Sequence, residues 1–247
     1  MVTPPEPEPS VDPNDVAAIA VARERVLARI ADACTRVGRD PASVAVVAVS
    51  KTVPASRLRA ALAAGLTTFG ENRVQEAEAK AGDVPGATWH LVGPLQSNKA
   101  RRALVTFAVI ESVDSLDLAV RLDRLADEVR PSKRVPILLQ VNVDDDRAKA
   151  GFEPAAVEAA AGGIAALPRL EVRGLMTVGR LVERAEDARP TFVALRRLAE
   201  RLRESGGGAA RWLGPELSMG MSDDFEVAIE EGATIVRVGR ALFGHRH

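Results

Sequence analysis

The amino-acid sequence predicts one α/β domain, a (β/α)8 TIM barrel, and three observations carry that expectation. Eight apolar runs rich in β-branched residues recur along the 247 residues, with helix-like stretches between them. Strands alternating with helices imply parallel pairing, since each return to the sheet needs a crossover. The runs are apolar nearly throughout, as strands covered on both faces are. An open dinucleotide-binding sheet is the alternative, but no run is followed by a GxGxxG turn.

Taken in order, residues 1–13 carry repeated Glu-Pro pairs and no apolar period, so a disordered acidic arm is expected ahead of a barrel spanning 14–247. A helix is expected to begin near Asn14. Val16, Ile19, Ala20, Val26, Leu27, Ile30 and Ala31 share one stripe, and Gly38 stops it. The strand-like runs are VAVVAV (44–49), TTFG (67–70), TWHLVG (88–93), FAVIESV (107–113), VPILLQVNV (135–143), LEVRGLMTV (170–178), ELSM (216–219) and TIVRVG (234–239). SRLRAALAAG, VQEAEAKAG, SLDLAVRLDRLADEVR, AAVEAAAGGIAAL, residues 184–204 and DDFEVAIEEG read as helices between them. The GGG at 206–208 has no strand before it and reads as a loop.

Composition narrows the function classes. Thirty-three Lys and Arg against thirty-four Asp and Glu leave a net charge of −1, without the basic footprint of a general nucleic-acid binder. No apolar run approaches the ~18–20 residues of a membrane span. The single cysteine, Cys34, forbids an intramolecular disulfide and fits a reducing compartment, so a cytoplasmic protein is expected.

In a barrel of this kind, chemistry gathers at the C-terminal ends of the strands. Polar residues interrupt the runs there: Ser50-Lys51, Gly70-Glu71-Asn72, His90, Asn142, Met176-Thr177, Ser218 to Ser222, and Arg237 before Gly239-Arg240. The last two loops each lead into a helix start, where free N–H groups and the positive dipole end favour an anion. An anionic, phosphorylated ligand facing a lysine is the expectation. Lys51 is either a solvated strand-end residue or, emerging from the barrel mouth after six apolar residues, an amine able to form a Schiff base. Carbonyl plus phosphate describes a sugar phosphate or pyridoxal phosphate (PLP).

Six motifs then stand together in order: AVSKTVP around Lys51, FGENRVQEAEAK (69–80), WHLVGPLQSNK (89–99), LMTV (175–178), LSMGMSDD (217–224) and VRVGRALFG (236–244). Jointly, from about residue 16 to 244, they resemble the pyridoxal phosphate homeostasis protein family, related to the alanine racemase N-terminal domain. The resemblance implies a single barrel of that type, holding PLP as an internal aldimine on Lys51. It also implies a phosphate held around Ser222 and Met221 and by Gly239-Arg240, Arg237 facing the pyridine nitrogen, and Asn72 near the ring. A guanidinium cannot accept a proton, so Arg237 would leave that nitrogen unprotonated and weaken the ring as an electron sink. The chain departs at Arg240, where the family commonly has Ser or Thr.

Alanine racemases, by the same resemblance, use a lysine and a tyrosine from a second β domain, whereas this sequence contains no tyrosine. The expectation is therefore a non-catalytic PLP binder that buffers or delivers the cofactor, with PLP-dependent apo-enzymes as partners, acting as a monomer. The alternatives are an aldolase-like lyase using Lys51, with Glu71 or His90 as acid or base, and a residual amino-acid racemase.

The other candidates have plainer readings. His90 reads as a satisfied core or supporting histidine, with cofactor contact next. Glu71 either pairs with a lysine or arginine or orients Asn72. Lys149 lies in the loop after strand five, as a possible second amine for PLP transfer. Gln96, Asn98, Lys99, Arg101 and Arg102 read as a solvated helix start, against a secondary anion site or delivery surface. Asp223 and Asp224 read as complements to a helix dipole. Cys34 reads as a buried small hydrophobe. His245 and His247 lack ligand-spaced partners, so no metal is expected.

Overall fold

The structure, a computed structural model, describes residues 11–146, 148–180, 182–205 and 212–244. Most of the acidic arm, the GGG at 206–208 and the terminal histidines lie outside these. The first helix, α1 (Pro13–Arg36), starts one residue before the expected point, because Asp12 accepts the Asn14 N–H at 2.9 Å and Pro13 occupies the first turn. Its buried stripe is Ile19, Val26, Ile30, Ala33 and Cys34, while Leu27, expected inside, stays 38% exposed. Gly38, with φ +67°, ends the helix as the Arg39 N–H returns to the Cys34 carbonyl at 2.9 Å.

Eight strand–helix units follow. They are β1 (Ala45–Val49) with α2 (Ala55–Ala63), β2 (Thr68–Glu71) with α3 (Val74–Ala81), β3 (Thr88–Leu91) with α4 (Ala100–Thr106), and β4 (Val109–Val113) with α5 (Leu116–Val129). Next come β5 (Val135–Gln140) with α6 (Pro154–Ala165), β6 (Leu170–Met176) with α7 (Arg189–Ser205), β7 (Glu216–Ser218) with α8 (Phe225–Glu230), and β8 (Ile235–Val238) with α9 (Arg240–Phe243). Every strand pairs in parallel with its neighbour in chain order, and β8 pairs with β1 from Ala45↔Ile235 to Ala48↔Val238. The sheet closes as expected and leaves no edge.

Two apolar layers hold it. Val47, Val92, Val109, Leu138, Met176 and Ile235 pack inside the barrel. Phe69, Phe107, Phe192 and Phe225 are fully buried in the layer that includes the surrounding helices. Truncating one of these to Ala typically costs about 3–5 kcal/mol. Helix α1 packs on α2, α8 and α9, the helices flanking the β8–β1 seam. Arg29 on α1 grips Glu226 through two bonds of 2.6 and 2.9 Å, and its guanidinium sits 4.4 Å from the Phe225 ring centre. At Gly220, φ +90°, a Cβ would lie 2.6 Å from the Ala228 Cβ, so glycine lets the loop after β7 rest on α8.

Candidate functional site

At the C-terminal mouth, one cavity of about 300 Å³ is lined by all seven residues expected at a cofactor site: Lys51, Asn72, Met221, Ser222, Arg237, Gly239 and Arg240. Strand geometry explains the convergence. Lys51 lies two residues beyond β1, Asn72 one residue beyond β2, and Gly239 one beyond β8. Arg237 belongs to β8 itself. After Lys51 the chain turns sharply: Thr52 has φ +66°, rare for a β-branched residue, and the Val53 N–H returns to the Ser50 carbonyl at 3.0 Å. Val49, Val92, Val178 and Val182 supply the apolar wall.

Ser222 organises one end. Its Oγ accepts the Gly239 and Ala241 N–H groups, each at 3.3 Å, which leaves the hydroxyl proton free to donate. Those bonds are long, so an anionic oxygen entering there competes well for the same donors. Two carboxylates border this end, and both are occupied. Asp223 pairs with the Arg240 guanidinium. Asp224 accepts the Met221 N–H at 2.6 Å; burial pushes its carboxyl up, with that N–H pulling the other way. Both precede α8, with Asp224 at its N-cap position, but no side-chain bond caps the helix, because Asp224 turns back to close its own loop.

Arg237 is 4% exposed. It donates through Nη1 to the Ser218 Oγ and through Nη2 to the Thr177 carbonyl, both at 2.6 Å. Burial pushes the guanidinium below its ordinary value, opposed by Glu111 and Asp224.

Several polar strand-end residues stand outside the cavity. Glu71 is bonded to Lys80 and Ser50, the first of the two alternatives read for it. The His90 Nδ1 is 2.6 Å from Glu111, so His90 is a satisfied interior histidine. Neither lines the cavity, and so neither acid–base candidate for a lyase reaches it. Asn142 closes its own loop through Asp146. Lys149 lies 3.7 Å from Asp144 and 3.6 Å from Asp146. Arg101 and Arg102 are tied to Glu128 and Glu78. Cys34 is buried, and burial pushes its thiol up. Among the described residues no group of His, Cys, Asp or Glu could hold a metal ion, and no helix is long and apolar enough to cross a membrane.

Sequence reasoning missed three groups. Arg180 lines the mouth, but nothing in its run marked it. Glu111 was legible as a carboxylate inside an apolar run. Lys80 could be found only from the packing of α3 beside β2, which brings its ammonium to Glu71 and the Ser50 carbonyl.

A closed parallel barrel with an amine, a buried guanidinium and a hydroxyl–amide cup at its C-terminal mouth defines a class of barrels able to receive an anionic ligand beside an amine. Comparison narrows that class. Residues 22–247 match the family described as alanine racemase, N-terminal domain. A pyridoxal phosphate homeostasis protein of Pseudomonas aeruginosa is 46% identical over 228 residues, covering 90% of this chain and 93% of that protein. The Escherichia coli K12 protein of the same name is 39% identical over 245 residues, covering 94% and 97%. The solved structure of PipY from Synechococcus elongatus, with PLP bound, is 44% identical with a TM-score of 0.76, covering 87% of this chain and all of that one. An alanine racemase of Corynebacterium glutamicum, 18% identical with a TM-score of 0.70 and 62% covered, shares the fold. The chain belongs to the pyridoxal phosphate homeostasis protein family, within the alanine racemase N-terminal domain class.

Proposed function

We propose that this protein binds pyridoxal 5'-phosphate at the barrel mouth and serves intracellular PLP homeostasis, holding and handing on the cofactor without substantial turnover. The observation that carries the reading is the meeting of Lys51, Arg237 and Ser222 on one cavity. The donor set matches the cofactor's chemistry. PLP supplies an aldehyde that condenses with a primary amine, a pyridine ring and a phosphate. Lys51 is the amine. Ser222, with the Gly239 and Ala241 amides, presents donors to the phosphate, and Met221 shapes that loop. Arg240 serves through its backbone, since its guanidinium is engaged by Asp223. Arg237 can only donate to the ring nitrogen, and Asn72 borders the ring.

Holding rather than turnover is supported by the chain's lack of tyrosine and by the engagement of Glu71 and His90 elsewhere. The lone cysteine suits the cytoplasm, where PLP-dependent apo-enzymes would receive the cofactor from the monomer. The test is a visible spectrum with PLP added. The wild-type protein gains the absorption of an amine-linked cofactor, and Lys51→Ala does not. Trapping by borohydride only in the presence of a keto-sugar phosphate would favour a lyase instead.

A further inference from the structure

A line of polar side chains crosses the barrel interior beneath the cavity, where the surrounding packing is Val47, Val109, Leu138, Met176 and Ile235. His90 on β3, Glu111 on β4, Ser218 on β7 and Arg237 on β8 form a chain with a 2.6 Å spacing at each link. Glu111 and Ser218 have no exposure at all. Their proton directions follow from chemistry. A guanidinium only donates, so the Ser218 oxygen accepts from Arg237 and its own proton goes to Glu111. Burial works against ionising Glu111, but His90, Arg237 and Ser218 together hold its carboxyl below its ordinary value. An ionised Glu111 takes the His90 Nδ1–H on its other oxygen.

We propose that Glu111, acting through Ser218, is a positioning residue that fixes the orientation of Arg237 and sets how much of its positive charge is felt in the cavity. This rests on the cavity being the PLP site. A buried cation needs a counter-charge. Here the counter-charge lies one hydroxyl away, through Ser218, while Thr177 fixes the second nitrogen. The other charged groups nearby are Glu216 on β7, which is paired with Arg173, and Asp224 before α8. Neither bonds Arg237. Without the Glu111 charge, Arg237 acts on the bound chromophore as a fuller cation and disfavours a second positive charge beside it.

The test follows the pH midpoint of the visible absorption of the PLP-loaded protein. Glu111→Gln keeps the volume and an acceptor oxygen, and lowers the midpoint by about one pH unit, a tenfold loss of proton affinity. Ser218→Ala, which breaks the link, moves it in the same direction. Glu111→Asp keeps the charge but draws it back from Ser218, and shifts the midpoint less than Gln does. A midpoint unchanged in both Gln and Ala variants, or an Asp variant that shifts as far as Gln, overturns the inference. A purely structural role would lower thermal stability and leave the midpoint in place. A wild-type protein with no visible band would instead refute the assignment of the cavity to PLP.

Discussion

Lys80 on α3 places its Nζ 2.7 Å from the Oε1 of Glu71 on β2, and the same ammonium donates to the Ser50 carbonyl at 3.0 Å. One buried ion pair thereby anchors the residue preceding Lys51. Glu71 has no exposed surface. Burial raises its carboxyl above the ordinary value, with Lys80 and Ser50 pulling it down.

Lys80→Met strands that carboxylate and is expected to cost about 3–5 kcal/mol near neutral pH. The double variant Lys80→Met/Glu71→Gln recovers much of the loss. A raised carboxyl contributes stability that is complete below about pH 4.5 and lost as pH rises through the folded value. The deficit of Lys80→Met therefore shrinks on acidification, as Glu71 gains a proton and no longer needs a partner. Denaturant titrations of the three proteins across pH 4–8 check both points.

Glu111 has the opposite sign. Its carboxyl is held below the ordinary 4.5, so its contribution is present above that pH and lost as pH falls through the folded value. Stability measured from pH 5 down to 2 is expected to fall more steeply in the wild type than in Glu111→Gln. Parallel curves would mean that Glu111 is not ionised in the fold.

Gly93 backs one wall of the site. A Cβ there would lie 2.4 Å from the Asn72 carbonyl oxygen and 2.6 Å from the Asn72 Cα. Gly93→Ala is expected to cost about 1–3 kcal/mol and to weaken PLP binding by displacing Asn72. Gly162→Ala, inside α6 with nothing near its added carbon, gains about 0.5–1 kcal/mol and leaves binding alone. Melting curves and PLP titrations of the two variants separate these effects.

At the anion cup, Ser222→Ala removes a donor and is expected to weaken PLP binding about tenfold. Arg240→Ala changes it by less than about threefold, because that side chain is solvated and already paired with Asp223. Equal losses in the two variants, measured by equilibrium dialysis, would give the Arg240 side chain a direct role.

Much of this architecture could be read from the chain because the physics is local. Apolar strands buried on both faces announce themselves, and polar residues at their C-terminal ends mark the mouth. All seven expected cavity residues are either in a strand or a few positions beyond one, where strand direction alone delivers them to the same end. What stayed hidden depends on tertiary packing. Lys80 looks like any solvated helix lysine until α3 packs beside β2 and brings it to Glu71. Glu111 becomes meaningful only once closure brings β7 and β8 across from β4. Leu27 was misplaced because helical period gives a stripe but not which part of it the neighbouring helices cover.

The most direct measurement is the mass of the modified peptide after the protein is mixed with PLP, reduced with borohydride and digested. The account predicts one reduced phosphopyridoxyl group, carried on Lys51. Modification centred on Lys149, Lys80 or Lys99, with Lys51 untouched, would contradict it.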